Sequence, residues 1–188
     1  MARRGSYGVQ CLRRRKMQTR YCWTTSAVTA MLILAVLPHL FGASYAGSRE
    51  KNQVTIGGRA GRHSFVLRLA KRPFQRKRHK ITGSEYNRRV DGKNALGTDG
   101  YLPQEEISRF EVTVDGKPWP VPARLWRDCY EPNFDTDPHF PALQAALTPD
   151  GNRLWVKMTG GDAAGSYNVV WLLRANGLSS RKIGGGEP

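Results

Sequence analysis

Cysteine is nearly absent: three in 188 residues, and two of these, Cys11 and Cys22, sit in the first 22 positions. Cys129 therefore stands alone in the rest of the chain, which excludes a small disulfide-stapled scaffold. A lone thiol of this kind is read first as a small buried hydrophobe. Acidic side chains are also scarce, 15 against 30 Lys and Arg, for a formal charge of +15. Residues 1–46 carry none at all. Long hydrophobic runs are missing too. The densest, Ala30–Leu37 followed by Pro38-His39-Leu40-Phe41, is about 12 residues, short of the ~20 that cross a bilayer comfortably. The length excludes a TIM barrel and a two-domain dinucleotide enzyme.

The excess charge is unevenly placed. Residues 1–46 hold seven basic side chains, residues 47–89 hold 13 basic and two acidic, and residues 90–188 hold 10 basic and 13 acidic. The first block has the layout of a secretory signal. Arg3, Arg4, Arg13, Arg14, Arg15, Lys16 and Arg20 precede an uncharged stretch from Tyr21 to Ser48, and Ser44-Tyr45-Ala46 offers a small-residue cleavage site after Ala46. If uncleaved, residues 23–43 would serve as an N-terminal anchor. The Arg3-Arg4 pair stands too far before the apolar core for a twin-arginine signal, and Cys22 precedes that core, where a lipoprotein cysteine would follow it. Export to the periplasm or beyond is the expected destination, and loss of the leader lowers the charge to +8.

Residues 47–104 read as a basic, partly disordered arm and linker with one possible strand at 63–70, where Phe65, Leu67 and Leu69 share a face. Lys71, Arg72, Arg76, Lys77, Arg78 and Lys80 fall within ten positions, and Arg88 and Arg89 extend the patch. Such a run can displace counterions from a polyanion. It lacks the interleaved aromatics, finger spacing or helix-turn-helix pattern of sequence readout. In an exported protein the partners that fit are an anionic envelope polymer, a lipid surface or another envelope protein, and nucleic acid fits poorly. Turn formers at Thr82-Gly83-Ser84, Asp91-Gly92 and Gly97–Gly100 suggest a linker up to Gln104.

Residues 105–183 alternate as strands and turns. Phe110, Val112 and Val114 face one way before the hairpin signal Asp115-Gly116. Trp119–Trp126, with Pro120 and Pro122, suits an extended edge segment leading into a loop. Ala142–Thr148 could be claimed by a helix or a strand, and the following Pro149-Asp150-Gly151-Asn152 and Arg153–Met158 decide for a hairpin, with Leu154, Val156 and Met158 on one face and Trp155 and Lys157 on the other. Ser166–Arg174 becomes apolar on both faces from Val169, as a central strand does. Asn176-Gly177 turns the chain toward a short edge strand, and 184–188 is a tail. The fold class expected is all-β, a small antiparallel β-sandwich or rolled sheet, preceded by the signal peptide and the basic arm.

No motif fixes an activity. Asp128, Glu131, Asp135 and Asp137 lack the calcium-loop pattern. Cys129, His63, His79 and His139 lack zinc spacing. Gly160–Gly165 lacks the Lys-Ser/Thr end of a phosphate loop. No catalytic residue, metal ligand or cofactor is assigned. The function expected is a non-enzymatic binding or scaffolding β-domain at the envelope, with Lys71, Arg72, Arg76, Lys77, Arg78, Lys80, Arg88, Arg89 and Trp155 as binding residues. The alternatives are polyanion or nucleic-acid binding through 71–89, and a small hydrolase or metal protein using the 128–139 loop.

Overall fold

A computed structural model describes residues 46–185, so the expected leader lies outside the described residues except for Ala46. The described chain is all-β, with three antiparallel sheets, none closed. The first sheet has the order β1-β2-β3-β7-β8, from β1 (Ala46–Glu50), β2 (Gln53–Ala60), β3 (His63–Pro73), β7 (Glu105–Val114) and β8 (Lys117–Trp119). The second has the order β12-β11-β10-β9, from β9 (Leu143–Leu147), β10 (Arg153–Gly160), β11 (Tyr167–Arg174) and β12 (Ser180–Gly185). Between β3 and β7 the short strands β4 (Ile81–Thr82), β5 (Arg89–Val90) and β6 (Lys93–Asn94) make a small third sheet.

The alternation seen in the sequence is the packing. Leu67, Val112, Leu154, Val156, Met158, Val169, Trp171 and Leu173 are buried in a single cluster fed by both large sheets, which gives the fold its sandwich-like character. Phe110 of β7 meets Trp171 of β11 edge to face, ring centroids 5.0 Å apart, so the sheets touch through these rings. The Trp171 indole N–H donates to the Leu125 carbonyl at 2.7 Å, which satisfies the one polar atom this ring buries. Asp115 and Gly116 both have positive φ, 49° and 76°, the geometry of the tight primed turn joining β7 to β8.

The arm and linker expected over 47–104 are instead folded. β1, β2 and β3 lie in the five-stranded sheet, and β3 pairs with β7 from Phe65↔Val114 to Pro73↔Glu105. Val54 and Ile56 join the core, so β2 contributes apolar surface that its glycines and neighbouring charges obscure in the sequence. The turn-rich stretch 81–104 holds the third sheet, closed at Asp91-Gly92 by another turn with both φ positive.

Candidate functional site

The basic segment leaves β3 through a β-bulge. The register with β7 shifts between Ala70 and Lys71, so Lys71 pairs with Ile107 and Arg72 with Glu106. This step turns Ile107 into the core and stands Glu106 opposite Arg72. Glu106 is buried at 3% exposure, and a carboxylate cannot be left there unpaired. Its Oε1 accepts from Arg72 Nε at 2.6 Å, and its Oε2 lies 2.8 Å from His79 Nε2. The other ring nitrogen of His79 lies 2.8 Å from Asp91 Oδ2. The imidazole of His79 thus bridges the two carboxylates through its two ring nitrogens.

Around this core the segment is clamped. Phe74 stacks on His79 at 4.8 Å, and Tyr130 approaches both rings edge-on. The Lys80 backbone N–H donates to Asp91 Oδ1 at 2.9 Å. The His79 hydrogen bond, aided by this backbone N–H, holds the Asp91 carboxyl below its ordinary range. Burial, with the charges of Asp91 and Glu106 close by, pushes the Tyr130 phenol up. Lys71 pairs with Glu105 at 2.5 Å.

The sequence-assigned basic residues thus divide in two. Lys71 and Arg72 are spent on internal ion pairs. Arg76, Lys77 and Arg78 form an exposed 3-10 turn, with Lys80 and Arg89 exposed beside it and Arg88 half-buried; among the described residues these side chains make no ion pair. Arg78 reaches a cleft of about 420 Å³, shared with Arg72, His79, Arg127 and Trp126 over the Asp91 and Glu106 carboxylates. Both Glu106 oxygens and both His79 nitrogens are engaged in these pairs. Sequence reasoning missed Asp91, Glu106 and Arg127, because partners so far along the chain meet only through strand pairing.

The chain matches no family model, no curated protein and no solved structure. Function therefore rests on the groups themselves. The 128–139 loop does not assemble a reactive pair: Cys129 is fully buried, whereas His139 is exposed. Burial, reinforced by the Asp128 charge, pushes the thiol up to about 12, far from a thiolate nucleophile. Asp128 instead receives Arg181 through two hydrogen bonds, the Nη2–Oδ2 arm being 2.7 Å, and Arg181 also donates to the Leu125 carbonyl at 3.0 Å. His63, the first residue of β3, lies 2.6 Å from Asp115 Oδ2 in the β7–β8 turn. Trp155 lies on the outer face of β10, at 44% exposure, away from the core packing of its neighbours Leu154 and Val156.

Proposed function

We propose that the chain is an exported, non-enzymatic binding domain of the cell envelope that docks onto an anionic polymer through the exposed basic turn at 76–80 and its neighbour Arg89. One observation carries this reading. Arg76, Lys77, Arg78 and Lys80 project without ion-pair partners from a segment that Glu106 and Asp91 hold in place. Charges on a pre-ordered turn bind a polyanion without the ordering cost that a loose arm bears. The engaged Glu106–His79 pair and the buried Cys129 thiol support a binding role over a hydrolytic one. Phe74, already stacked on His79, is not free to receive a base, which favours charge recognition over nucleic-acid stacking. Export rests on the leader-like pattern of residues 1–46.

The test is retention on heparin as a function of salt. Each phosphate-like or sulfate contact contributes roughly 0.7–0.9 to the slope of log K against log salt. Replacing Arg76, Lys77 and Arg78 together by serine should lower that slope by about two to three, since their side chains hold nothing else in place. An unchanged slope would overturn the reading. The location is tested separately, by fractionation and by sequencing the N-terminus of the mature protein.

A further inference from the structure

The four-stranded sheet contains no Asp or Glu in any of its strands. Its inner face is the core, with Leu154, Val156, Met158, Val169, Trp171 and Leu173 at 0% exposure. The alternate residues therefore all point outward. On that face strand register sets Arg153 directly opposite Arg174, Trp155 between Ala146 and Leu172, and Val170 between Lys157 and Lys182. Four cations that are scattered over 30 positions of the sequence so converge around one exposed indole.

The arginine pair is the unusual element. Like charges directly opposite on a sheet, with backbones about 5 Å apart, repel. Arg174 also buries its Nε with no hydrogen-bond partner among the described residues. Asp150, in the turn before β10, feels the Arg153 charge, but its oxygens accept from Thr148 and Asn152, and it forms no ion pair with either arginine. A planar or tetrahedral oxyanion seated between the two guanidinium groups would relieve the repulsion and use both forks.

We infer that this outer face is a second binding surface, for an acidic polysaccharide, in which Trp155 carries the apolar face of a sugar ring while Arg153 and Arg174 take its carboxylate or sulfate. A residue two positions along a strand lies about 6.7 Å away on the same face, so ring and oxyanion sites are one sugar's breadth apart. Lys157 and Lys182 continue the positive rim on the far side of Trp155. A membrane surface suits the face less well. Ala146, Val170 and Leu172 are half-buried in the sheet, which leaves one exposed ring where interfacial insertion uses a broad apolar face. Single-stranded nucleic acid uses a succession of stacking rings, and this face has one.

The surface shares no residue with the 76–89 segment, so the two readings fail separately. The experiment is titration of the full chain with a hexasaccharide of polygalacturonate and one of heparin, followed by calorimetry and tryptophan fluorescence, with maltohexaose as the neutral control. One or both acidic hexasaccharides should bind and the neutral one should not; the stronger of the two identifies carboxylate or sulfate as the preferred anion. Trp155→Ala and Arg153→Ser should each weaken binding by about tenfold or more, a change of about 1.4 kcal/mol. Arg174→Gln should do the same, and the exposed Arg153 keeps the test valid if that variant folds poorly. Lys117→Ser, which removes one exposed charge from an edge strand of the other large sheet, should leave hexasaccharide affinity within about twofold. Wild-type affinity in both Trp155→Ala and Arg153→Ser overturns the inference. So does binding to phosphatidylglycerol vesicles or single-stranded DNA that depends on Trp155 while neither acidic hexasaccharide binds.

Discussion

His79 places its Nε2 2.8 Å from Oε2 of Glu106, so the middle of the most basic run in the chain is fastened to a buried carboxylate of a central strand. Because Arg72 holds the other oxygen of Glu106 and Asp91 the other nitrogen of His79, four side chains from β3, β7, the end of the 3-10 turn and the β5–β6 turn act as one clasp. The clasp converts a charge run into a presented surface. Its two carboxylates pair with the cations that hold the fold, and the outer cations of the 3-10 turn are left without ion-pair partners among the described residues.

Glu106→Gln should therefore loosen the segment before it unfolds the domain. An amide can accept from only one of Arg72 and His79 and presents an N–H to the other. Discounted for the partial exposure of Arg72, the loss should be about 2 kcal/mol, read as a lower urea midpoint at unchanged slope. Amide exchange at Lys80 and Asp91, whose N–H groups close the turn onto Asp91 Oδ1 and the Lys80 carbonyl, should accelerate more than exchange in β10 or β11. Equal protection in the variant would mean that the clasp does not order the turn.

Asp128 and Arg181 form a second, half-buried ion pair that should contribute to the acid sensitivity of the fold. Burial raises the Asp128 pKa, but the Arg181 hydrogen bonds and charge outweigh it and hold the carboxyl below its ordinary value of 3.8. A folded-state value below the unfolded one contributes stability above pH ~4, and that contribution is lost as pH falls through the depressed value. Asp128→Asn should cost about 2–3 kcal/mol at neutral pH, because Arg181 stays partly buried without its partner. Its denaturation midpoint should fall less steeply below pH 4 than that of the wild type. Parallel acid profiles would assign the acid sensitivity to other carboxylates.

Cys129 should be silent in the native state. With the thiol buried and pushed up to about 12, Ellman's reagent at pH 8 should label it only at the rate of unfolding, and fully in 6 M guanidinium chloride. Cys129→Ala should keep the fold and lose about 1–2 kcal/mol, as expected for a small buried side chain that leaves little cavity. Rapid native labelling would contradict the burial of this residue.

What could be read from the residues was local. Val112, Val156 and Trp171 declared their faces by alternation, and Asp115-Gly116 declared its turn, because period and turn chemistry are properties of neighbours in sequence. The strand β2 was hidden by Gly57-Gly58, which look like slack. A Cβ on Gly58 would come within 2.6 Å of Phe65 Cε1, so the glycine is there to let a ring lie across the strand. The basic run looked like a solvated arm because Glu105, Glu106 and Asp91 reach it only after strand pairing. The convergence of Arg153, Lys157, Arg174 and Lys182 on one face is likewise a fact of register, while Trp155 was visible by parity alone.

Gly160 gives the sharpest test of such close approach, since it ends β10 where the 126–134 loop crosses. Its ideal Cβ would lie 2.5 Å from Cε1, Cζ and the hydroxyl oxygen of Tyr167, and that side chain is not free to withdraw. The Tyr167 hydroxyl donates to the Tyr130 carbonyl at 2.9 Å inside the protein, and Tyr130 in turn packs against Phe74 and His79. Gly160→Ala must therefore displace the ring or break the hydrogen bond, and overpacking of this kind costs about 1–3 kcal/mol. Gly92→Ala is the control. Its φ is +78°, but nothing lies within 4 Å of the added methyl, so only the left-handed backbone is penalised, by about 1 kcal/mol. Because Tyr130 links that ring to the clasp, Gly160→Ala should also raise exchange at Lys80, more than 40 residues from Tyr130, and Gly92→Ala, although it closes the same small sheet, should disturb only the turn at Asp91. If both variants lose the same stability and both leave Lys80 protected, then Tyr167 does not transmit strain to the basic turn.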